Sequence, residues 1–368
     1  MKNAWHCLIL AVLLQPAGIR NVLLKKSMPD VPVNRNLLII TTDGFRWQEL
    51  FNGADSVLIN DDSYTPDKET VKALYWAGTA DERRKRLMPF VWNVMKSQGQ
   101  LYGNRLYDNK INTANFYSIS YPGYNELLTG NIDPEISSNH KTPNPNRSVL
   151  EYLNQQPDFS GQVAVFSSWD VFPYILNEQR SHIPVNSGYE NISGPGISAE
   201  QEMINRVQDE GIKEKEATRY DELTFLTAKN YIIEHHPRVV YIGFGETDEC
   251  AHRGRYDLYL DRANAVDRMI ASLWHLIQTT PGYRDNTTLL ITTDHGRGNK
   301  HSKWTSHGPW ISGSSQVWFG MMGPGIQPLG EIKEPQQYYL VQLTDTIQQL
   351  LGAGNSAVNN ATLALLAK

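Results

Sequence analysis

Apolar-rich runs six or seven residues long recur along the chain, each followed by turn residues and then by a stretch with helical periodicity. They are Asn36–Thr42, Gln162–Ser167, Arg238–Phe244, Thr288–Thr293 and Gln316–Met322. Runs without polar alternation suit strands that are covered on both faces. Helical spacing predicts helices over Glu82–Lys96, Tyr124–Thr129, Val149–Gln155, Ala199–Val207, Glu222–Glu234, Leu258–Thr279 and Val341–Leu351. This alternation predicts an α/β fold with a central, largely parallel but mixed sheet between helical layers. No repeat or long linker interrupts it, so a single domain is expected over residues 28–368. Asn139–Asn146 and Pro184–Ser198 read as surface or active-site loops.

Composition narrows the class. With 40% apolar, 10% aromatic and 20% charged residues, the 368-residue chain has the make-up of an ordinary folded globule. Its formal charge of −5 lacks the basic excess expected of a nucleic-acid binder. Cys7 and Cys250 are the two cysteines, too few for a disulfide framework, and Cys250 reads as a small buried filler. The start, Met1-Lys2 followed by the apolar run Cys7–Leu14, has the charge and length of a signal-peptide core and is too short to span a bilayer. Residues 1–27 are therefore expected to be a signal peptide with an N-terminal extension, and the mature protein to be periplasmic or secreted.

Three of the expected strands end in acidic residues: Thr42-Asp43-Gly44, Glu246-Thr247-Asp248 and Thr293-Asp294-His295. An aspartate after a strand is commonly a turn former or helix cap. Ligands of open α/β sheets, however, collect at the carboxyl ends of strands, so three such tips point to one site. Asp248 and His252 are four apart, which puts them on one face of a helical turn. His301 and His307 follow on a loop rich in Gly and Trp. Asp43, Asp248, His252, Asp294, His295 and His307 would supply two metals with three protein ligands each. Mixed carboxylate and imidazole donors suit zinc first, with manganese or another divalent ion as an alternative. Paired metals are what in-line phosphoryl displacement uses.

Ser120 is the candidate nucleophile, with N-capping as the competing reading for a lone serine. Pro122 just after it suits the start of a helix, and Gly130 suits its end. The free N–H groups of that helix would face an anion. Arg297 and Lys303 are candidates for phosphate contact.

These residues, in this order, resemble the alkaline phosphatase superfamily, and most closely its nucleotide pyrophosphatase/phosphodiesterase branch. Asp43-Gly44-Phe45-Arg46 is similar to that branch's Asp-Gly-Phe-Arg signature. Ser120-Tyr121-Pro122 with Thr129-Gly130 is similar to its nucleophile segment, with Ser in place of Thr. Asp248-x-x-x-His252, Asp294-His295-Gly296 and His307-Gly308 complete the set. The resemblance spans about residues 36–325. It implies one zinc on Asp248, His252 and His307, and a second on Asp43, Asp294 and His295 bridged by Ser120. It also implies a two-step hydrolysis of a small-molecule phosphate ester through phospho-Ser120, and a three-layer sandwich fold.

The departures concern the pocket. Gly123 and Tyr124 stand where the family has Asn and an aromatic or His neighbour. The short gap from His295 leaves His301 a rival to the favoured His307. Asn139 and Asn144 are both candidates for the family's substrate-contacting asparagine. Sulfatases share the fold, but their maturation segment Cys/Ser-x-Pro-x-Arg meets Tyr124 here, and Asp294-His295 favours zinc over the single calcium they use. Transfer of the phospho group to an alcohol, as in a mutase or transferase, and a non-catalytic phosphate-binding role are the remaining alternatives.

Overall fold

The computed structural model of the protein describes residues 35–353. In chain order its strands are β1 (Asn36–Thr42), β2 (Gly99–Tyr102), β3 (Asn109–Asn112), β4 (Val163–Ser167), β5 (Val185–Ser187), β6 (Val239–Phe244), β7 (Thr287–Thr292), β8 (Gln316–Val317), β9 (Phe319–Met322), β10 (Gly330–Glu331) and β11 (Gln336–Tyr339). Eight of them form one sheet in the order β10-β2-β9-β7-β1-β6-β4-β5. β1 lies between β7 and β6, parallel to both, and β9 runs antiparallel to β7 and β2. A smaller sheet has the order β11-β3-β8.

The apolar runs are continuous because both faces of the large sheet are covered. Leu38 and Ile40 point into one core with Tyr259, Leu260 and Val266 of the helix Tyr256–Thr279. Leu37 and Ile39 point the other way, toward Leu127 and Leu128 of Ser120–Thr129, Leu150 of Val149–Asn154 and Leu343 of Gln342–Leu350. At about 1.5–3 kcal/mol for each fully buried aliphatic side chain, neither face tolerates polar alternation. The result is the expected α/β sheet between helical layers.

Several elements differ from the expectation. The predicted helix Glu82–Lys96 is broken: Ala80–Leu87 ends at Met88, and a π-helical turn, Val91–Met95, follows. Met88 precedes Pro89, which disfavours helical backbone at that position. Asp267 then starts the next segment by accepting from Phe90 N at 2.7 Å and Val91 N at 3.0 Å. The run Gln316–Met322 divides at Trp318, with β8 pairing β3 in the small sheet and β9 joining the large one. Trp318 is buried there and donates its indole N–H to Phe45 O at 2.8 Å. The helix expected over Tyr124–Thr129 starts earlier, at Ser120.

The expected signal peptide and the boundary at residue 28 lie outside the described residues, all of which fall within the compact unit Val33–Lys368. Among the described residues no helix is long and apolar enough to cross a membrane.

Candidate active site

The carboxyl ends of β1, β6 and β7 are level. Thr42 pairs with Phe244 and Thr41 with Thr292, so Asp43, Gly245–Asp248 and Thr293–Asp294 emerge side by side. Asp43 N donates to Phe244 O at 2.9 Å, and Thr247 Oγ1 donates to Asp43 O at 2.6 Å. Gly44 then turns the chain at φ +57° and gives its N–H to Asp294 Oδ1 at 3.1 Å. A β-carbon there would stand 2.5 Å from Asp248 Oδ1 and 2.8 Å from Arg297 Nη1.

Asp43, Asp294 and His295 form one possible metal-binding group. His295 Nδ1 lies 2.9 Å from the Gly296 carbonyl, which can only accept, so the ring proton is on Nδ1 and Nε2 presents a lone pair. Asp43 Oδ1 and Asp294 Oδ2 lie 3.3 and 3.4 Å from that Nε2, and both are buried without a hydrogen-bond partner among the described residues. Burial and the charge of Asp248 push the Asp43 carboxyl up, with the hydroxyl of Tyr124, 3.0 Å from Oδ2, opposing. Burial and the charge of Asp43 push Asp294 up as well. Converging lone pairs with orphaned carboxylate oxygens lack a positive charge, and a divalent cation fits that need. Ser120 Oγ lies 3.3 Å from the same Nε2.

The helix Glu246–His252 begins without a cap of its own; Asp221 accepts from Gly245 N at 2.8 Å and Glu246 N at 3.2 Å. Asp248 and His252 share a face as the spacing predicts, with His252 Nε2 3.0 Å from Asp248 Oδ2. Asp248 also groups with His295 and His307. Burial would raise the Asp248 carboxyl, but the guanidinium of Arg297, bonded directly to Oδ1, and the two imidazoles hold it well below the usual carboxylate range. Burial and His295 push His307 down, so its ring is neutral.

Ser120 opens the helix Ser120–Thr129. Asn139 Oδ1 accepts from Tyr121 N at 2.9 Å, and Gly130 closes the helix at φ 67°. Gly123 explains one departure from the family pattern, because a β-carbon there would lie 2.4 Å from Asp294 O. Only a bare backbone brings this helix so close to the β7 tip. Tyr124 explains the next, through its bond to Asp43. The preceding Ser118 has φ 47°, and its carbonyl accepts from His307 Nδ1 at 3.1 Å. Asp43, Ser120, Asn139, Trp169, Asp248 and His252 line a cavity of about 200 Å³.

The fold thus gathers Asp43, Ser120, Asp248, His252, Asp294, His295, His307 and Asn139. It does not gather three others. Asn144 is buried and donates to Asn125 Oδ1 at 3.0 Å. His301 pairs with Asp61 at 2.9 Å. Lys303 is exposed on the turn His301–Lys303, with no bond from its ammonium to the described residues of the cluster. Arg297 is present but buried, its guanidinium engaged with Asp248 and main-chain carbonyls. Sequence reasoning missed Asp221, whose role is visible only once β6 and its own helix are side by side. Cys250 is a buried thiol, pushed up to about 12 mainly by burial.

A family model described as the Metalloenzyme superfamily matches residues 168–353. No curated protein matches the sequence. Among solved structures, the chain is similar to wild-type alkaline phosphatase PafA at 11% identity, covering 90% of this chain and 99% of that one with a TM-score of 0.57. It is similar to the lipoteichoic acid synthase LtaP from Listeria monocytogenes at 12% identity, covering 88% and 73% with a TM-score of 0.55. It is also similar to BT1596, a 2-O GAG sulfatase, at 13% identity, covering 91% and 75% with a TM-score of 0.54. At such identities the likeness is one of fold.

Proposed function

The chain belongs to the Metalloenzyme superfamily and has an alkaline-phosphatase-like fold, and from that premise we propose that it is a metal-dependent phosphoric-ester hydrolase with Ser120 as nucleophile. The observation that carries this reading is the meeting of Ser120 Oγ, at the start of a ten-residue helix, with the orphaned carboxylates around His295. Asp43, Asp294 and His295 would hold the ion, for which their donor types favour zinc over manganese. When bound, the ion neutralises charge developing on the phosphoryl group.

The chain's own residues do the rest. Asn139 fixes the start of the helix Ser120–Thr129 by accepting from Tyr121 N, and Gly123 N donates to Ile119 O, so with Pro122 between them the N–H of Ser120 is what this helix start offers an anion. Ser120 Oγ attacks phosphorus in line; the Oγ–P bond forms, the ester P–O bond breaks and the leaving oxygen takes the proton that the Ser120 hydroxyl gives up. Water then cleaves the Oγ–P bond, releasing phosphate or its monoester and restoring the serine hydroxyl. The substrate we assign is a small-molecule phosphate ester, and on the charged start and apolar run of the N-terminus we place the mature protein outside the cytoplasm.

The test is turnover of paired aryl phosphate monoester, aryl phosphate diester and aryl sulfate by the wild type and by Ser120→Ala. Phosphate-ester turnover that disappears in Ser120→Ala while metal content stays is the expected result. Wild-type rates in that variant, or preference for the sulfate, overturn the proposal.

A further inference from the structure

Arg297 occupies ground where a second metal would be expected. It is buried, with Nε donating to Trp304 O at 2.9 Å, Nη2 to Thr305 O and Nη1 to Asp248 Oδ1. Because the bonds to Trp304 and Thr305 are to main chain, the guanidinium cannot swing aside without stranding a buried cation. Its Nη2 also lies 3.4 Å from His252 Nδ1. A guanidinium only donates, so His252 Nδ1 accepts and a ring proton is on Nε2.

That proton faces both His307 Nε2 and Asp248 Oδ2, each at 3.0 Å, and His307 passes its own Nδ1 proton to Ser118 O at 3.1 Å. Arg297, His252, His307 and Ser118 therefore form a directed hydrogen-bond chain that is complete without an ion. The contrast with Asp43 Oδ1 and Asp294 Oδ2, which are buried and orphaned, is direct. His295 belongs to both possible metal groups yet has one free lone pair, since Nδ1 is spent on Gly296 O. An ion on Asp43 and Asp294 takes it, which leaves Asp248 and His307 without the third donor of their group. Charge agrees: the three carboxylates of Asp43, Asp248 and Asp294 are neutralised by one dication and one guanidinium.

We infer that this chain holds a single divalent cation, on Asp43, Asp294 and His295, and that Arg297 provides the positive charge at the Asp248 position in place of a second ion. This rests on the hydrolase reading for its relevance to phosphate esters, but it is tested without turnover. Full-length protein is stripped with a chelator and equilibrated with excess zinc, and its tightly held metal is counted by mass spectrometry and by competition with a chromophoric chelator. One zinc per chain is expected in the wild type and in Asp248→Asn, and none in Asp43→Ala. Arg297→Met, which removes the charge and frees Asp248 and His252, is expected to rise from one to two. Should that variant fail to fold, the wild type and Asp248→Asn still decide. Two tight zinc ions in the wild type, falling to one in Asp248→Asn, overturn the inference and leave the hydrolase reading standing. One zinc without ester turnover does the reverse, and no bound zinc overturns the inference.

Discussion

Gly44→Ala probes the crowding at the centre of the site. Gly44 has φ +57°, a conformation that costs an L-residue about 1 kcal/mol. The new methyl would also press on Asp248 Oδ1 at 2.5 Å, Arg297 Nη1 at 2.8 Å and His295 Cε1 at 3.2 Å. These are side-chain atoms, which normally yield, but Arg297 is pinned by the Trp304 and Thr305 carbonyls and His295 by Gly296 O. Overpacking against such fixed neighbours costs about 1–3 kcal/mol. The variant should therefore lose about 2–4 kcal/mol, a drop of roughly 30-fold or more in the folding equilibrium constant. Equilibrium urea unfolding reads this as a lower midpoint at unchanged slope. Metal content should fall in parallel, because displacing residue 44 moves Asp43. A loss below about 0.5 kcal/mol with full metal content would refute the claim that Arg297 and His295 are held rigidly.

Other expectations follow from single contacts. Glu126 is buried and accepts from Ala114 N, Asn115 N, Asn115 Nδ2 and Val341 N, so Glu126→Ala should cost at least about 3 kcal/mol in a urea titration by orphaning several donors. Burial raises Asp267 to about 7, against the two amides it caps. Its proton is bound more tightly in the folded chain than in the unfolded one, so its contribution to stability is full below the ordinary carboxylate range and is lost as pH rises through about 7. The stability of the wild type relative to Asp267→Asn should accordingly shrink between pH 5 and pH 8; a gap that widens contradicts the assignment. His301 is half exposed and bound to Asp61, so His301→Ala should leave metal content intact and ester turnover within twofold.

The parts of the site carried by strands were legible because a parallel sheet covered on both faces writes its strands as continuous apolar runs. β1 coincides with its run, Asp43 and Asp294 stand at the tips of β1 and β7, and Asp248 lies in the helix that begins just past the adjacent β6. Strand order was not legible, since the pairing of β1 with β7 joins residues far apart in sequence. β2, β5, β10 and β11 are too short to carry a pattern. The break at Met88-Pro89 could have been read from the proline; its repair by Asp267 could not. At Arg297 the residue type suggested a phosphate contact, whereas its orientation is decided by main-chain carbonyls at Trp304 and Thr305. Gly123 looked like the loss of a polar group and is instead what permits close approach to Asp294 O.

The place of β1 in the sheet sets a limit on how the chain can be divided. The stretch matched by the family model, residues 168–353, contains β6, β7 and five of the gathered donors, but neither Asp43 nor Ser120. Between β6 and β7 runs β1, contributed by a segment more than a hundred residues upstream of that stretch. Expressed alone, residues 168–353 would leave the inner edges of both strands as open rows of N–H and C=O groups flanked by apolar faces, an arrangement prone to self-association. The most recognisable half of the protein is therefore not a module: it becomes a folded body only when the N-terminal strand is threaded into its centre.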